Sequence, residues 1–347
     1  MSFTAKLFRA SKLALVVGLA FTSLAFNVSV ANATACPSSA NDATTGVDWS
    51  GCDLHGWDFT GKTLGYANLS NANLAGAIFN GADMSGANLA GANLTGATFP
   101  GSTLLSVSFV GSNLTDVAFG NAYMTGANFS DAILTRTNFS ESSGLAYSLK
   151  SSGITQFAGI TMPSDWKIIG GFLFAPVADF YQKDLSGLDL SGVNLYHATL
   201  DGANLTGANL TGATLEGATA PGTNFSGANL SNANLQTTQL VGAILSNAVL
   251  RNANLVEANL SSVNASNADF SSANLTGATV SNANFTDANL FEAVTENADF
   301  SGTDLGQVVY IDRSYDSLAN TGSDVSSLLE ISSMLVLAGL VLRRKTL

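Results

Sequence analysis

The sequence predicts an all-β solenoid with four-sided coils and four pentapeptides in each coil. Apolar residues recur at every fifth position, and a small residue, mostly Ala, stands two positions before each of them. A period of five fits neither the 3.6-residue period of a helix nor the two-residue period of a flat strand. All the apolar residues can therefore point inward only if the chain turns a corner once in each repeat. The other three residues of each repeat then face out.

The spacing of Phe indicates the number of sides. Over residues 54–139, the first of two repeat arrays, Phe recurs at intervals of twenty residues and so forms one column of the coil stack. Phe109 and Phe129 share the column ten residues away. Such a spacing stacks like on like in a coil of twenty residues, and each aromatic pair adds about 0.5–1.5 kcal/mol. The residues of the main column are Phe59, Phe79, Phe99, Phe119 and Phe139. A third column consists of Leu64, Met84, Leu104 and Met124.

Two arrays follow this pattern, over residues 54–139 and 180–305. They hold eighteen and twenty-six repeats, or eleven coils of four. With about 4.8 Å per coil, the stack is on the order of 50 Å long. The weak centres are Ala220, Ala265 and Thr295. Asn recurs before the centres at twenty-residue spacing, so we expect stacked Asn side chains to form a ladder between coils.

The repeats resemble those of the pentapeptide-repeat family, whose consensus is A-[ND]-L-x-x. Residues 67–96 read ANLSN, ANLAG, AIFNG, ADMSG, ANLAG and ANLTG. The resemblance covers the 44 repeats, about 220 residues, and it implies a right-handed quadrilateral β-helix.

Residues 140–179 leave the pattern and shift its register by one. They resemble a spacer found between pentapeptide blocks, of the type S-G-I-T, P-x-x-W and G-G-x-L. We consider two arrangements: an irregular pair of coils or a hairpin with Trp166 and Phe172 packed on the solenoid, and a protrusion that binds a partner. The matching residues are Ser152, Gly153, Ile154, Thr155, Pro163, Trp166, Gly170, Gly171 and Leu173.

Residues 1–33 have the features of a secretory signal peptide. A positive region (Lys6, Arg9 and Lys12) precedes the apolar run 13–26, and Ala31-Asn32-Ala33 offers a cleavage site. Cleavage after Ala35 and a retained membrane helix are the alternatives, although the apolar run is short for a full span.

The two cysteines, Cys36 and Cys52, follow the signal directly. An even number of cysteines in an exported chain favours a disulfide, and two free thiols are the alternative. A β-solenoid must cover its first open edge. We therefore expect residues 34–53 to form a cap stapled by a Cys36–Cys52 disulfide.

The C-terminal end has the order of a cell-wall sorting signal. Residues 306–317 are expected to be a cap or an exit linker. In residues 318–347 a short motif precedes the apolar stretch 328–342 and a basic end. The motif is Leu318, Ala319, Asn320, Thr321 and Gly322.

This motif is similar to the L-A-x-T-G form associated with class E sortases of high-GC Gram-positive bacteria. The resemblance implies cleavage between Thr321 and Gly322 and transfer of the Thr321 carbonyl to an amine of the peptidoglycan precursor. The apolar stretch and basic end would hold the motif at the membrane until then. A simple C-terminal membrane anchor is the alternative.

The charge argues against nucleic acid as a partner. The formal net charge is −12, and residues 34–321 contain 23 acidic and 7 basic residues. Binding through phosphates needs a basic surface, whereas this composition is typical of a solvated acidic surface.

No catalytic constellation, cofactor site or metal site is predicted. His55 and His197 project outward, and Asp53, His55 and Asp58 spread around a corner, so they are surface residues. Asp184 and Asp189 lie on adjacent sides and do not form an obvious calcium pair. Ser and Asp recur throughout the repeats, so no nucleophile with a base can be singled out.

The sequence therefore favours a non-enzymatic surface protein, secreted and linked to the wall of a Gram-positive bacterium. It would act as a rod-like spacer, a coat or an adhesin, with sortase and peptidoglycan as partners and an unknown surface protein or glycan as a further one. The alternative is an acidic binding module that mimics DNA and binds a topoisomerase, against which the signal peptide argues.

Overall fold

The described chain is a right-handed, four-sided β-helix. The computed structural model describes residues 36–141 and 149–311, the last three by their backbone only. Each side of a coil contributes one parallel β-bridge, and bridge partners in the arrays lie twenty residues apart, as in Asp53 with Asn73 and Asn73 with Asn93. The predicted fold class is confirmed.

Hydrogen bonds between coils satisfy most of the backbone. In the repeat of Leu64, the amides of Leu64, Tyr66 and Asn68 donate to carbonyls of neighbouring coils at 2.6–2.8 Å. The Ala67 amide closes the corner by donating to the Leu64 carbonyl at 3.0 Å. Four of the five amides of a repeat are thus bonded to backbone, and the amide directly after the centre is left for a side chain.

Each corner passes through a left-handed residue two positions after the centre. Gly holds this position most often, but Tyr66, His197 and Thr237 adopt it as well, with φ of 57°, 51° and 55°. With the hydrogen bond across the corner, this geometry is that of a type II turn, which needs a positive φ at its third residue. Gly is frequent there because it has no Cβ to clash.

The core consists of stacked columns of centres. Ring centroids in the Phe59 column are 4.8–5.3 Å apart and stacked, which confirms the predicted column. Phe109 stacks on Phe129 at 5.1 Å, and its ring meets Phe99 edge to face at 6.1 Å. The weak centres of the second array, Ala220, Ala265 and Thr295, are buried.

The break between the arrays is one enlarged coil that carries a hairpin. Strands β1 (Lys167–Ile169) and β2 (Phe172–Phe174) pair antiparallel. Lys150 bridges both Asn128 and Asp179, so the coil path continues through the break on one side. Trp166, Leu173 and Phe174 are buried, and the hairpin therefore packs within the solenoid and does not protrude.

The two described ends differ. At the N-terminal end a 3-10 helix, Ala40–Asp42, is capped by Ser39, and Ala40 and Ala43 pack against the core of the first array. Asp48 already bridges Asn68, so coil pairing begins upstream of residue 54. At the other end β3 (Asn289–Phe291) pairs in parallel with β4 (Val309–Ile311).

Candidate functional surfaces

Where Asn or Asp stands directly before a centre, its side chain commonly accepts a hydrogen bond from the amide directly after the centre, which has no backbone partner. Asn68 Oδ1 accepts from the Ser70 amide at 3.3 Å and from the Ser70 hydroxyl at 2.8 Å. The Asn68 Nδ2 donates to Asp48 Oδ1 at 3.0 Å, and Asn88 donates to Asn68 Oδ1 at 3.4 Å. The predicted Asn ladder is therefore confirmed, and the same side chain also caps the turn.

Asp occupies the first place of several ladders. Each amide donates toward the preceding coil, so the first member needs only to accept. The pKa of Asp184 is below its ordinary value because the Ser186 side chain and amide and the Asn204 side chain donate to its carboxylate. The aspartates that accept from an Asn twenty positions later are Asp48, Asp53, Asp184, Asp189 and Asp269.

Side chains at the left-handed corner lean over the next coil. The Tyr66 ring lies over Gly86, where an added Cβ would stand 2.6 Å from the ring, and His197 lies in the same way over Gly217 at 2.5 Å. Tyr66 is 74% exposed. These corners are therefore coupled at a spacing of twenty residues, and a glycine in one coil accommodates a large side chain from the coil before it.

The cysteines meet at the N-terminal cap. Cys36 and Cys52 form a disulfide with their Cα atoms 5.6 Å apart. Cys52 is buried beside Trp49 and Leu54 in the core of the first array. Lys62 Nζ also reaches the cap, where it donates to Asn41 Oδ1 at 3.1 Å.

The histidines and their neighbouring carboxylates do not form a centre. His55 Nδ1 lies 2.9 Å from Asp53 Oδ1, and both side chains are well exposed. Asp58 instead accepts from the Thr60 amide on the next side. Asp184 and Asp189 each begin a separate ladder. Within residues 36–141 and 149–311, no group of three His, Cys, Asp or Glu side chains could hold a metal ion.

The surface of the described coils is acidic. Residues 36–141 and 149–311 carry 21 Asp or Glu and 6 Lys or Arg, a formal charge of −15. Arg136 pairs with Asp116 in the preceding coil through both carboxylate oxygens at 2.5 and 2.6 Å, and Arg251 pairs with Asp269 at 2.5 Å. Both arginines of the described residues are thus paired with carboxylates of neighbouring coils.

The predicted segments at both ends lie outside the described residues. They are the signal peptide at residues 1–33 and the sorting signal at residues 318–347, with its motif from Leu318 to Gly322. In the part of the chain that the structure does describe, no helix has the length and apolar character to cross a membrane.

Comparison with known proteins gives a family and a set of solved structures. The model described as "Pentapeptide repeats" matches residues 67–104, 107–143, 178–207, 208–247, 243–282 and 268–307. No curated protein matches the chain.

Solved structures similar to the chain include three that illustrate the range. HetL, a pentapeptide repeat protein involved in heterocyst differentiation regulation in the cyanobacterium Nostoc sp. strain PCC 7120, is 23% identical over 77% of this chain and 91% of its own, with a TM-score of 0.26. Trypsin-treated QnrB1, a plasmid-mediated fluoroquinolone resistance protein, is 14% identical over 74% and 95%, with a TM-score of 0.31. Rfr23 from the cyanobacterium Cyanothece 51142 is 33% identical over 34% and 65%, with a TM-score of 0.18. At such low scores these likenesses say nothing about what this chain binds.

Proposed function

Because this chain belongs to the pentapeptide repeat family, whose members are generally structural or interaction proteins without catalysis, we propose that it is an exported surface protein of a Gram-positive bacterium. Sortase links it to peptidoglycan through Thr321, and the solenoid serves as a rod-like spacer, coat or adhesin. The observation that carries the proposal is the Cys36–Cys52 disulfide at the N-terminal cap. Disulfides persist in oxidising compartments outside the cytosol.

The outward surface also favours a structural role. Its Asn, Ser and Thr side chains bond to one another and to the backbone, as Asn204 does with Thr206 and Asp184. Such saturated ladders supply a fixed shape and a hydrated surface. The order of signal peptide, solenoid and sorting motif in the sequence agrees with this role.

The test is to express the full chain in a high-GC Gram-positive host that has a class E sortase. Mass spectrometry of wall digests should find a peptide that ends at Thr321 and is joined to peptidoglycan. Thr321→Ala should abolish the linked peptide, whereas Asn320→Ser, at the variable position of the motif, should keep it. A chain recovered from the medium with an intact C-terminus would contradict anchoring.

The second candidate is an acidic module that mimics DNA and binds a topoisomerase. It is favoured by one observation, the formal charge of −15 over the described coils. Such a chain would remain in the cytoplasm with reduced cysteines. Cell fractionation separates the two candidates, and a gyrase supercoiling assay with the purified chain tests the second: no inhibition at micromolar chain would exclude it.

A further inference from the structure

The hairpin at the break has two buried faces. On β1, Ile168 packs against the core of the first array, whereas its neighbour Ile169 packs against the core of the second. Their cross-strand partners follow the same division, since Leu173 joins the first core and Phe172 the second. The hairpin is therefore a thin layer between two blocks of coils, with one face for each block.

This layer separates the hydrophobic core into two. One cluster of buried side chains runs from Trp49 to Ala175, and the other runs from Phe174 to Val308. At the boundary, Trp166 contacts Phe139 of the first block with ring centroids 5.8 Å apart, and Phe174 stacks on Phe180 of the second block at 4.7 Å. Within each block, by contrast, centres stack on centres from coil to coil.

A polar residue interrupts the column of centres at the same level. Lys150 bridges Asn128 and Asp179, so Ser151 occupies the place between the centres Phe129 and Phe180. Ser151 is buried, and its Oγ accepts from the Leu173 amide at 2.7 Å. The column of apolar centres on both sides of the break thus contains the Ser151 hydroxyl at this level, and the hydroxyl is hydrogen-bonded to the hairpin.

The backbone ladders are sparse where the break meets the second block. On the other side five amides of the first block, from Phe129 to Phe139, still donate to carbonyls of the break at 2.7–2.8 Å. Among the described residues, Lys150 alone bridges the coils on both sides of the break, and Thr161 bridges only Asn138. Asp184 and Asp189 have bridge partners only in the following coil. The remaining connection to the second block runs through the hairpin, by the apolar packing described above and by polar contacts such as Lys167 Nζ, which donates to the Ser191 carbonyl at 3.2 Å.

We infer that the hairpin layer is a boundary between two separately cooperative blocks, residues 49–139 and 180–305, and that one block can unfold while the other stays folded. In a solenoid each coil is stabilised by its neighbours, so stability is transmitted only through coil interfaces. The interface at the hairpin has one continuous ladder and a divided core, so it transmits little stability from one block to the other. Contiguous cooperative units of this kind unfold with different free energies.

Intrinsic probes allow a direct test on the full, oxidised chain. All three tryptophans, Trp49, Trp57 and Trp166, belong to the first block or pack on its core. Fluorescence therefore reports the first block, whereas far-UV circular dichroism reports both. In urea, circular dichroism should show two transitions and fluorescence only one of them. Coincident single transitions by both probes would overturn the inference.

Two core variants assign the transitions. Phe99→Ala in the first block should move the fluorescence transition to lower urea by about 1–2 M and leave the other in place. Phe270→Ala in the second block should move only the transition seen by circular dichroism alone. A shift of both transitions by either variant would overturn the inference. Trp166→Phe leaves Trp49 and Trp57 as reporters far from the boundary, and it should preserve the two transitions.

Discussion

The two arrays build the same coil around different cores. In both, a left-handed residue turns each corner and an Asn or Asp commonly caps the following amide. The first array fills its centre with stacked rings such as Phe79, Phe99 and Phe119. The second is mainly leucine, and there Phe225 lies in a column between Leu205 and Leu245. Corner and cap thus specify the coil, while the core accepts different apolar residues.

The largest expected difference between the arrays comes from the disulfide. The Cys36→Ser, Cys52→Ser double variant should destabilise the first array by about 3 kcal/mol, because the bond closes a loop of 16 residues. Urea unfolding followed by tryptophan fluorescence measures this change. The unfolding midpoint of the second array, measured by circular dichroism, should not change. An unchanged fluorescence midpoint would show that the disulfide does not stabilise the first coils.

Replacing one ring in each core tests the value of stacking. Phe99→Leu loses stacked partners on both sides, at 4.8 and 5.3 Å, whereas Phe225→Leu places a leucine between leucines. Phe99 also meets Phe109 edge to face. At about 0.5–1.5 kcal/mol for each of these three aromatic pairs, Phe99→Leu should cost about 1.5–4.5 kcal/mol more than Phe225→Leu. Urea midpoints give the comparison. Equal costs would mean that the Phe column contributes only by its volume.

The Asn ladder can be tested at its interior and at its start. Asn254 donates to Asn234 Oδ1 at 2.9 Å, so Asn254→Asp should cost about 1–2 kcal/mol at pH 7 by removing the donor. The control is Asp184→Asn, which keeps the acceptor at the first place of a ladder, loses only the added strength of hydrogen bonds to a charged carboxylate, and should cost less than Asn254→Asp. The measurement is the circular dichroism midpoint, and a similar cost for both variants would contradict the direction of the ladder.

Replacing a residue at a left-handed corner by Gly should raise the stability of the second array by a smaller amount. Thr237 is β-branched and has a φ of 55°, a conformation that costs residues with a Cβ about 1–2 kcal/mol. Thr237→Gly should therefore stabilise the second array by up to about 1 kcal/mol. Val241→Gly, at the exposed corner position before a left-handed glycine, should instead destabilise it. Thermal unfolding distinguishes the two.

Acid should weaken the coils through the aspartates that begin ladders. Hydrogen bonds from Ser186 and Ser191 lower the pKa of Asp184 and Asp189 in the folded chain. Their contribution is therefore complete above the ordinary pKa of Asp and is lost as pH falls below it through the lowered values. The Asp184→Asn, Asp189→Asn double variant should show a shallower fall in unfolding midpoint over this range.

The sequence predicts the repeating part of this molecule well because the residues of each repeat determine its own corner and core position. Period, Phe columns and Asn ladder are all visible in the residue order. The second task of Asn68, capping the Ser70 amide, was not predicted, although an Asn two residues before a Ser or Thr is a known turn signal. Tyr66 and His197 at left-handed corners give no local sign of their conformation.

The hairpin could not be derived in the same way. A strand shows alternation only when one face is polar. Here β1 and β2 are packed on both faces, so Ile168, Ile169, Phe172, Leu173 and Phe174 read as a continuous apolar run. Such a run indicates burial but does not indicate which core each side chain joins. That assignment requires the coil path on both sides.

Hydrogen exchange of the native, oxidised chain, followed by mass spectrometry, tests most directly whether one coil path carries two cores. Peptides from residues 59–139 should share one level of protection and those from residues 180–300 another, with the change at the hairpin. A Phe270→Ala substitution should lower protection only in the second set. A single level of protection across Lys150, lowered everywhere by that substitution, would contradict a divided solenoid.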